Sequence, residues 1–258
     1  YIYAGRTIIS INKNCSFILL LNIICIKTIN KVIFYKWLMM HNSVQNLINI
    51  KKLIENSLNN LKVDKKPKII AVSKTFGIDK IMPLIEFGHL DFGENKVQEA
   101  LDKWGSLKSN NKKIRLHLIG GLQSNKVKFA VKLFDYIHSV DSEKIAKKIF
   151  DEQEKQKKQI KIFIQVNIGD EKQKSGVTKK MLPDLYSFCK SLKLNVVGLM
   201  CIPPLDMPAH AYFREMNILN RDLGLNELSM GMSSDYLDAV ANSATYLRIG
   251  SNIFGKRI

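Results

Sequence analysis

Lys68-Ile69-Ile70-Ala71-Val72-Ser73-Lys74-Thr75 decides how the rest of the chain is read. Its centre, Ile69 to Val72, is apolar on both faces, as a strand covered on both sides must be. Lys74 stands where that strand should end. Apolar walls and neighbouring cations favour the neutral form of an amine, and a neutral amine attacks carbonyls. The position equally suits a lysine whose stem runs past the strand end and whose head reaches water. Which reading holds depends on what the other strand ends carry.

Outward from this stretch, strand patterns recur at 69–74, 89–94, 115–120, 136–140, 161–168, 195–202, 227–231 and 246–250. Helical patterns fill the intervals near 78–87, 96–104, 124–133, 142–157, 178–192, 208–223 and 234–242, and a further helix, Val44 to Leu61, precedes the first strand. Alternation of this kind predicts an α/β fold with a parallel sheet. Eight units in about 190 residues fit a (β/α)8 TIM-type barrel, a single domain over residues 40–258, although counting alone also fits a doubly wound sheet. Either way, functional residues belong at the C-terminal strand ends.

Those ends collect a lysine, an arginine, several amides and two Gly/Ser loops. Ser229-Met230-Gly231-Met232-Ser233 leads into a helix, and Gly250-Ser251 opens the last segment. Backbone N–H groups in such loops, beside a positive helix end, suit a phosphate, and loops after strands seven and eight are its usual place in barrels. A lysine amine with a phosphate cup points to a phosphorylated aldehyde, and pyridoxal 5′-phosphate fits both.

Composition sets the competing classes. The 258 residues carry a net charge of +17, which would suit nucleic acid or an acidic membrane. Much of that excess is lysine spread along helices, as in Lys144-Ile145-Ala146-Lys147-Lys148, and no aromatic-interleaved basic motif accompanies it. A solvated lysine surface is the expectation, with no nucleic-acid partner and no stable membrane association. Cys15, Cys25, Cys189 and Cys201 form no C-x-x-C pair and no zinc spacing, so free thiols in a reducing, cytoplasmic setting and no metal are expected.

Residues 1–39 differ from the rest. They hold five basic residues (Arg6, Lys13, Lys27, Lys31, Lys36) and no acid, leaving 35 − 23 = +12 for the remainder. The apolar run Phe17 to Ile26 is shorter than the roughly 20 residues a bilayer needs. A disordered extension, or an artefact of translation upstream of Met39 or Met40, is the expectation; a targeting signal or anchor is the alternative.

The chain resembles the YggS/PROSC family, the pyridoxal phosphate homeostasis proteins. The resemblance rests on Ala71-Val72-Ser73-Lys74-Thr75, Phe92-Gly93-Glu94-Asn95, Val97-Gln98-Glu99, His117-Leu118-Ile119-Gly120 with Leu122-Gln123-Ser124-Asn125-Lys126, Lys174-Ser175-Gly176, Gly198-Leu199-Met200, Leu228-Ser229-Met230-Gly231-Met232-Ser233 and Arg248-Ile249-Gly250. These occur in family order over roughly residues 44–256; Gly121 stands where proline is usual, and Pro203 to His210 is short. The resemblance implies a fold-type III barrel, similar to the N-terminal domain of alanine racemase, with Lys74 holding pyridoxal phosphate as a Schiff base. It implies Arg248 against the pyridine nitrogen, which a permanently protonated guanidinium keeps unprotonated and therefore a poor electron sink. Ser229, Met230, Gly250 and Ser251 are expected to form the phosphate cup, with Ser233 as a possible helix cap instead. Asn95 is expected near the ring or as a loop amide. Asn167 and Met200 are expected as walls, core packing being equally open for Met200. His117 reads as a structural core histidine.

The resemblance implies a monomeric, non-catalytic carrier that buffers pyridoxal phosphate and supplies apo-enzymes. About ten residues follow the eighth strand pattern, so the second β domain of alanine racemase, with its catalytic tyrosine, is not expected. The alternative is a pyridoxal-phosphate-dependent amino-acid racemase or lyase, which needs a second base such as Tyr212 or Tyr236.

Overall fold

The structure, a computed structural model, describes residues 38–62, 65–205 and 207–255. By internal contacts the chain divides between His41 and Asn42, and the architecture below is that of the unit from Asn42 onward. The expectation for the N-terminal extension falls almost wholly outside the described residues.

Eight parallel strands close into a barrel in sequence order. They are β1 (Lys68–Val72), β2 (Asp91–Glu94), β3 (Arg115–Leu118), β4 (Tyr136–Val140), β5 (Lys161–Val166), β6 (Asn195–Cys201), β7 (Glu227–Ser229) and β8 (Tyr246–Ile249). The helices are α1 (Asn42–Leu61), α2 (Ile78–Glu86), α3 (Val97–Asn110), α4 (Val127–Leu133), α5 (Glu143–Gln156), α6 (Leu182–Ser191), α7 (Ala209–Asp222), α8 (Tyr236–Ala241) and α9 (Ser251–Phe254). The TIM-type barrel therefore stands and the doubly wound alternative falls. The first and last strands pair directly, Lys68 with Tyr246 through Ala71 with Ile249.

The helix pattern of α1 explains how the outer ring completes. Its buried stripe is Val44, Leu47, Ile50, Ile54 and Leu58. A barrel of this kind ordinarily places a full helix after the eighth strand. Here α9 has four residues, and α1 packs against α9, α8 and α2 to cover that flank. Asn46 ties the seam by donating from Nδ2 to the Ile253 carbonyl at 3.0 Å.

Side chains alternate across each strand, so one set faces the helices and the other fills the barrel. The interior set is unusually aromatic. Ile70, Tyr136, Phe163, Met200 and Tyr246 form one buried cluster. His117 stacks on Tyr136 at 4.4 Å, and His138 stacks on Phe163 at 4.3 Å. Strand β7 is shorter than the 227–231 pattern predicts, ending at Ser229. That difference moves the rim of the barrel along the chain and alters the site.

Candidate cofactor site

The segment after β1 is pinned on both sides of Lys74. Ser73 N donates to the Gly93 carbonyl at 3.0 Å, and Ser73 Oγ donates to Glu94 Oε1 at 2.7 Å. The Ser73 carbonyl accepts from Phe76 N at 3.1 Å and from Lys103 Nζ at 2.9 Å. Thr75 N donates to Glu99 Oε1 at 2.6 Å. Thr75 has φ 68°, an uncommon conformation for a β-branched residue that costs about 1–3 kcal/mol and persists only where the surroundings enforce it. Lys103 reaches Glu94 (3.0 Å) and Glu99 (3.1 Å) as well, and Trp104 Nε1 donates to Glu94 at 2.9 Å. Glu94 and Glu99 thus hold a lysine, and the three together clamp the backbone that carries Lys74.

Half-buried Lys74 lines a cavity of about 590 Å³ at the C-terminal mouth of the barrel. Asn95 lines the same wall, and Arg248 lies on its floor. The β7–α8 and β8–α9 loops add Ser233, Ser234, Gly250 and Ser251 to the lining. Ser233 joins these two loops: its Oγ accepts from Gly250 N and Asn252 N, each at 3.4 Å, and its carbonyl accepts from Asn252 Nδ2 at 2.9 Å. Among the described residues the lining holds two cations and no carboxylate. That donor set fits a compact anion carrying a carbonyl: an amine to condense with it, hydroxyls and backbone N–H groups to meet its phosphate, and a guanidinium beneath its body.

Arg248 is 4% exposed. Its Nη1 donates to Ser229 Oγ and its Nη2 to the Cys201 carbonyl, both at 2.8 Å. Burial pulls its pKa below the ordinary value, yet a guanidinium stays protonated in proteins. No carboxylate among the described residues makes an ion pair with it. Beside the cavity a second chamber of about 320 Å³ shares Asn95, Ile119 and Ile202 with it. Asn167 lines that chamber, where its amide exchanges hydrogen bonds with the Glu171 backbone at 2.9 and 3.2 Å.

Residues 48–257 match the family model described as alanine racemase, N-terminal domain. The pyridoxal phosphate homeostasis protein of Pasteurella multocida is 35% identical over 225 residues, spanning 83% of this chain and 97% of that one. The chain belongs to the pyridoxal phosphate homeostasis protein family. The family member from Escherichia coli is 35% identical over 202 residues, 73% of this chain and 85% of its own. Among solved structures, PipY of Synechococcus elongatus with pyridoxal phosphate (PLP) bound superposes with a TM-score of 0.67 at 34% identity, over 78% of this chain and 100% of that chain. Alanine racemase of Clostridium difficile, 14% identical with a TM-score of 0.65, covers 84% of this chain and 57% of its own, and shares the fold.

Against this family's expected site, the structure brings Lys74, Asn95, Arg248, Gly250 and Ser251 to one cavity. It does not bring Ser229, Met230 or Met200 there. Ser229 and Met230 are fully buried beneath the rim, because β7 ends at Ser229 and the chain needs three more residues to reach the mouth. Ser233 and Ser234, further along the same loop, do line the cavity. Met200 packs in the barrel cluster, and Asn167 sits one chamber away. Tyr212 and Tyr236 do not line the cavity. Phe76, stacked on Phe254 at 4.9 Å, does line it, with no local signal in the sequence to mark it. Among the described residues there is no cluster that could hold a metal, and no helix is long and apolar enough to cross a membrane.

Proposed function

We propose that this chain binds pyridoxal phosphate reversibly on Lys74 and serves vitamin B6 homeostasis as a carrier without turnover. The observation that carries this reading is one cavity that holds Lys74 and Arg248 with serine hydroxyls and, among the described residues, no carboxylate in its lining. The bound aldehyde supplies an electrophilic carbon that condenses with an amine and is released by water. Lys74 gives that amine from a backbone held on both sides. Ser233, Ser234, Gly250 and Ser251 orient the phosphate. Arg248 would hold the ring from its side of the cavity, and a guanidinium that stays protonated can only donate, so it would favour an unprotonated ring nitrogen and support carbanion chemistry poorly. Membership of a family whose relatives are named homeostasis proteins supports the same reading. So does a cavity lining whose only titratable side chains among the described residues are Lys74 and Arg248.

In this reading the barrel of residues 40–258 acts as a monomer in the cytoplasm, and apo-enzymes that need pyridoxal phosphate are its recipients. The test is the visible spectrum of the purified chain beside Lys74→Ala, with and without borohydride. A yellow band that borohydride fixes onto the peptide containing Lys74, and that the variant lacks, is expected. A wild-type chain that takes up no pyridoxal phosphate refutes the binding, and Lys74-dependent turnover of an amino-acid panel refutes the carrier assignment.

A further inference from the structure

Barrels of this fold usually fill their interior with layers of Val, Ile and Leu. This one threads a polar chain through it. Arg248 Nη1 meets Ser229 Oγ at 2.8 Å, Ser229 Oγ meets His138 Nδ1 at 2.8 Å, His138 Nε2 meets His117 Nδ1 at 3.0 Å, and His117 Nε2 meets Asp91 Oδ1 at 3.1 Å. Ser229, His138 and His117 are fully buried, Arg248 is 4% exposed and Asp91 7%. The chain begins at the cavity floor and ends at the opposite, N-terminal end of the barrel, where Asp91 opens β2 and also accepts from Arg115 Nε (2.7 Å) and Nη2 (2.6 Å).

The direction of every hydrogen in this chain follows from its two ends. Burial works to raise the Asp91 pKa, but the bonds from Arg115 and His117 outweigh it and hold the carboxyl well below the usual carboxylate range, so Asp91 only accepts. His117 must then carry its hydrogen on Nε2. Burial favours the neutral form of both histidines, which leaves His117 Nδ1 bare to accept from His138 Nε2–H and leaves His138 Nδ1 bare in turn. His138 Nδ1 accepts the Ser229 hydroxyl hydrogen. The Ser229 lone pairs are thereby left to Arg248, which can only donate.

We propose that Asp91 is a positioning residue for the cofactor cavity, acting through His117, His138 and Ser229 to fix the Arg248 guanidinium on the cavity floor. The proposal rests on the pyridoxal phosphate reading above. Its logic is chemical. A carboxylate bonded directly to Arg248 would occupy its fork and put an anion beside the ring of the ligand. The relay keeps Ser229 an acceptor for Arg248 while the carboxylate stands at the far end of the barrel.

Two measurements on the full chain test this. Two-bond proton–nitrogen correlation spectra of the histidines, without added ligand, should show His117 and His138 neutral with hydrogen on Nε2 at neutral pH. Either ring carrying hydrogen on Nδ1 overturns the relay. The second measurement titrates pyridoxal phosphate into the wild type, Asp91→Asn, Ser229→Ala and the double variant, reading affinity and band maximum. Each single variant should weaken binding about tenfold, the scale of one hydrogen bond to a charged group, and move the band in the same direction. The double variant should lose little more than either single one, because both break one chain. Wild-type affinity and spectrum in both single variants, or additive losses, overturn the positioning role. Absence of uptake by the wild type instead overturns the binding reading itself.

Discussion

Replacing Lys103 by methionine removes the cation from the clamp behind Lys74 while keeping most of the volume. Lys103 Nζ donates to Glu94, Glu99 and the Ser73 carbonyl, and its side chain is 10% exposed against 0% for Glu94. In Lys103→Met the Glu94 carboxylate stays buried with only the Ser73 hydroxyl and the Trp104 N–H to solvate it. Its Oε2 accepts no hydrogen bond from the described residues, so nothing is in reserve. Removing one partner of a buried pair costs roughly 3–5 kcal/mol. The two surviving hydrogen bonds place this case near the lower end, about 3 kcal/mol, which is a fall of roughly 6–12 °C in Tm for a chain of this size. Urea unfolding followed by circular dichroism measures it. The companion variant Glu94→Gln should rescue: Lys103→Met with Glu94→Gln should recover more than half of the loss, since no buried charge is then left alone. A single variant within about 0.5 kcal/mol of wild type, or a double variant that merely adds the two losses, would refute the reasoning.

Acid should loosen the fold well before carboxylates titrate. Burial pushes His89 down to about 4, and its Nε2–H donates to the Asp91 carbonyl at 2.8 Å. The unfolded chain binds that proton near pH 6.5, so stability is full above this, and on the order of 3 kcal/mol is lost as pH falls to about 4. His117 and His138, lowered by burial, act with the same sign. A urea midpoint that stays flat from pH 7 to pH 5 would count against this. Gly198→Ala should cost at least about 3 kcal/mol, because a Cβ there would enter the Glu227 carbonyl of the neighbouring strand, and a backbone atom cannot rotate aside. A thermal midpoint within 2 °C of wild type would be the contrary result, by roughly the same conversion. Burial raises the thiols of Cys189 and Cys201 to about 12, so neither should be alkylated by iodoacetamide at pH 8 until the chain unfolds. Peptide mass mapping reads this directly, and modification of either in the native chain refutes it.

The parts of the fold that were legible in the sequence are those with a local signature. Strands covered on both faces read as apolar runs, and the alternation with helices carried the barrel. Lys74 and Arg248 were legible because a charge at the end, or in the middle, of such a run is conspicuous. The serine wall was not. Ser229-Met230-Gly231-Met232-Ser233 offers a serine at either end, and the choice depends on where β7 stops. It stops at Ser229, so this hydroxyl turns inward beneath Arg248 while Ser233 reaches the mouth. The relay was illegible for a different reason. Its five residues come from β2, β3, β4, β7 and β8, and pairing partners such as His138 and Ser229 are 91 positions apart. Only barrel closure makes them neighbours. His117 alone reads correctly as a core residue, with no hint that it has a buried acid on one side and a second histidine on the other.

The pairing of β1 with β8 also has a consequence for how the protein is made. Lys74 lies just beyond the first strand and Arg248 within the last, and the cavity between them is assembled across that seam. A nascent chain emerging from a ribosome has its lysine outside long before its arginine and its Gly250-Ser251 turn are synthesised. Until the final strand docks, the amine is an ordinary exposed lysine with no pocket around it. Capture of the ligand can therefore occur only on a finished barrel, and a loaded molecule is one that has passed its last folding step.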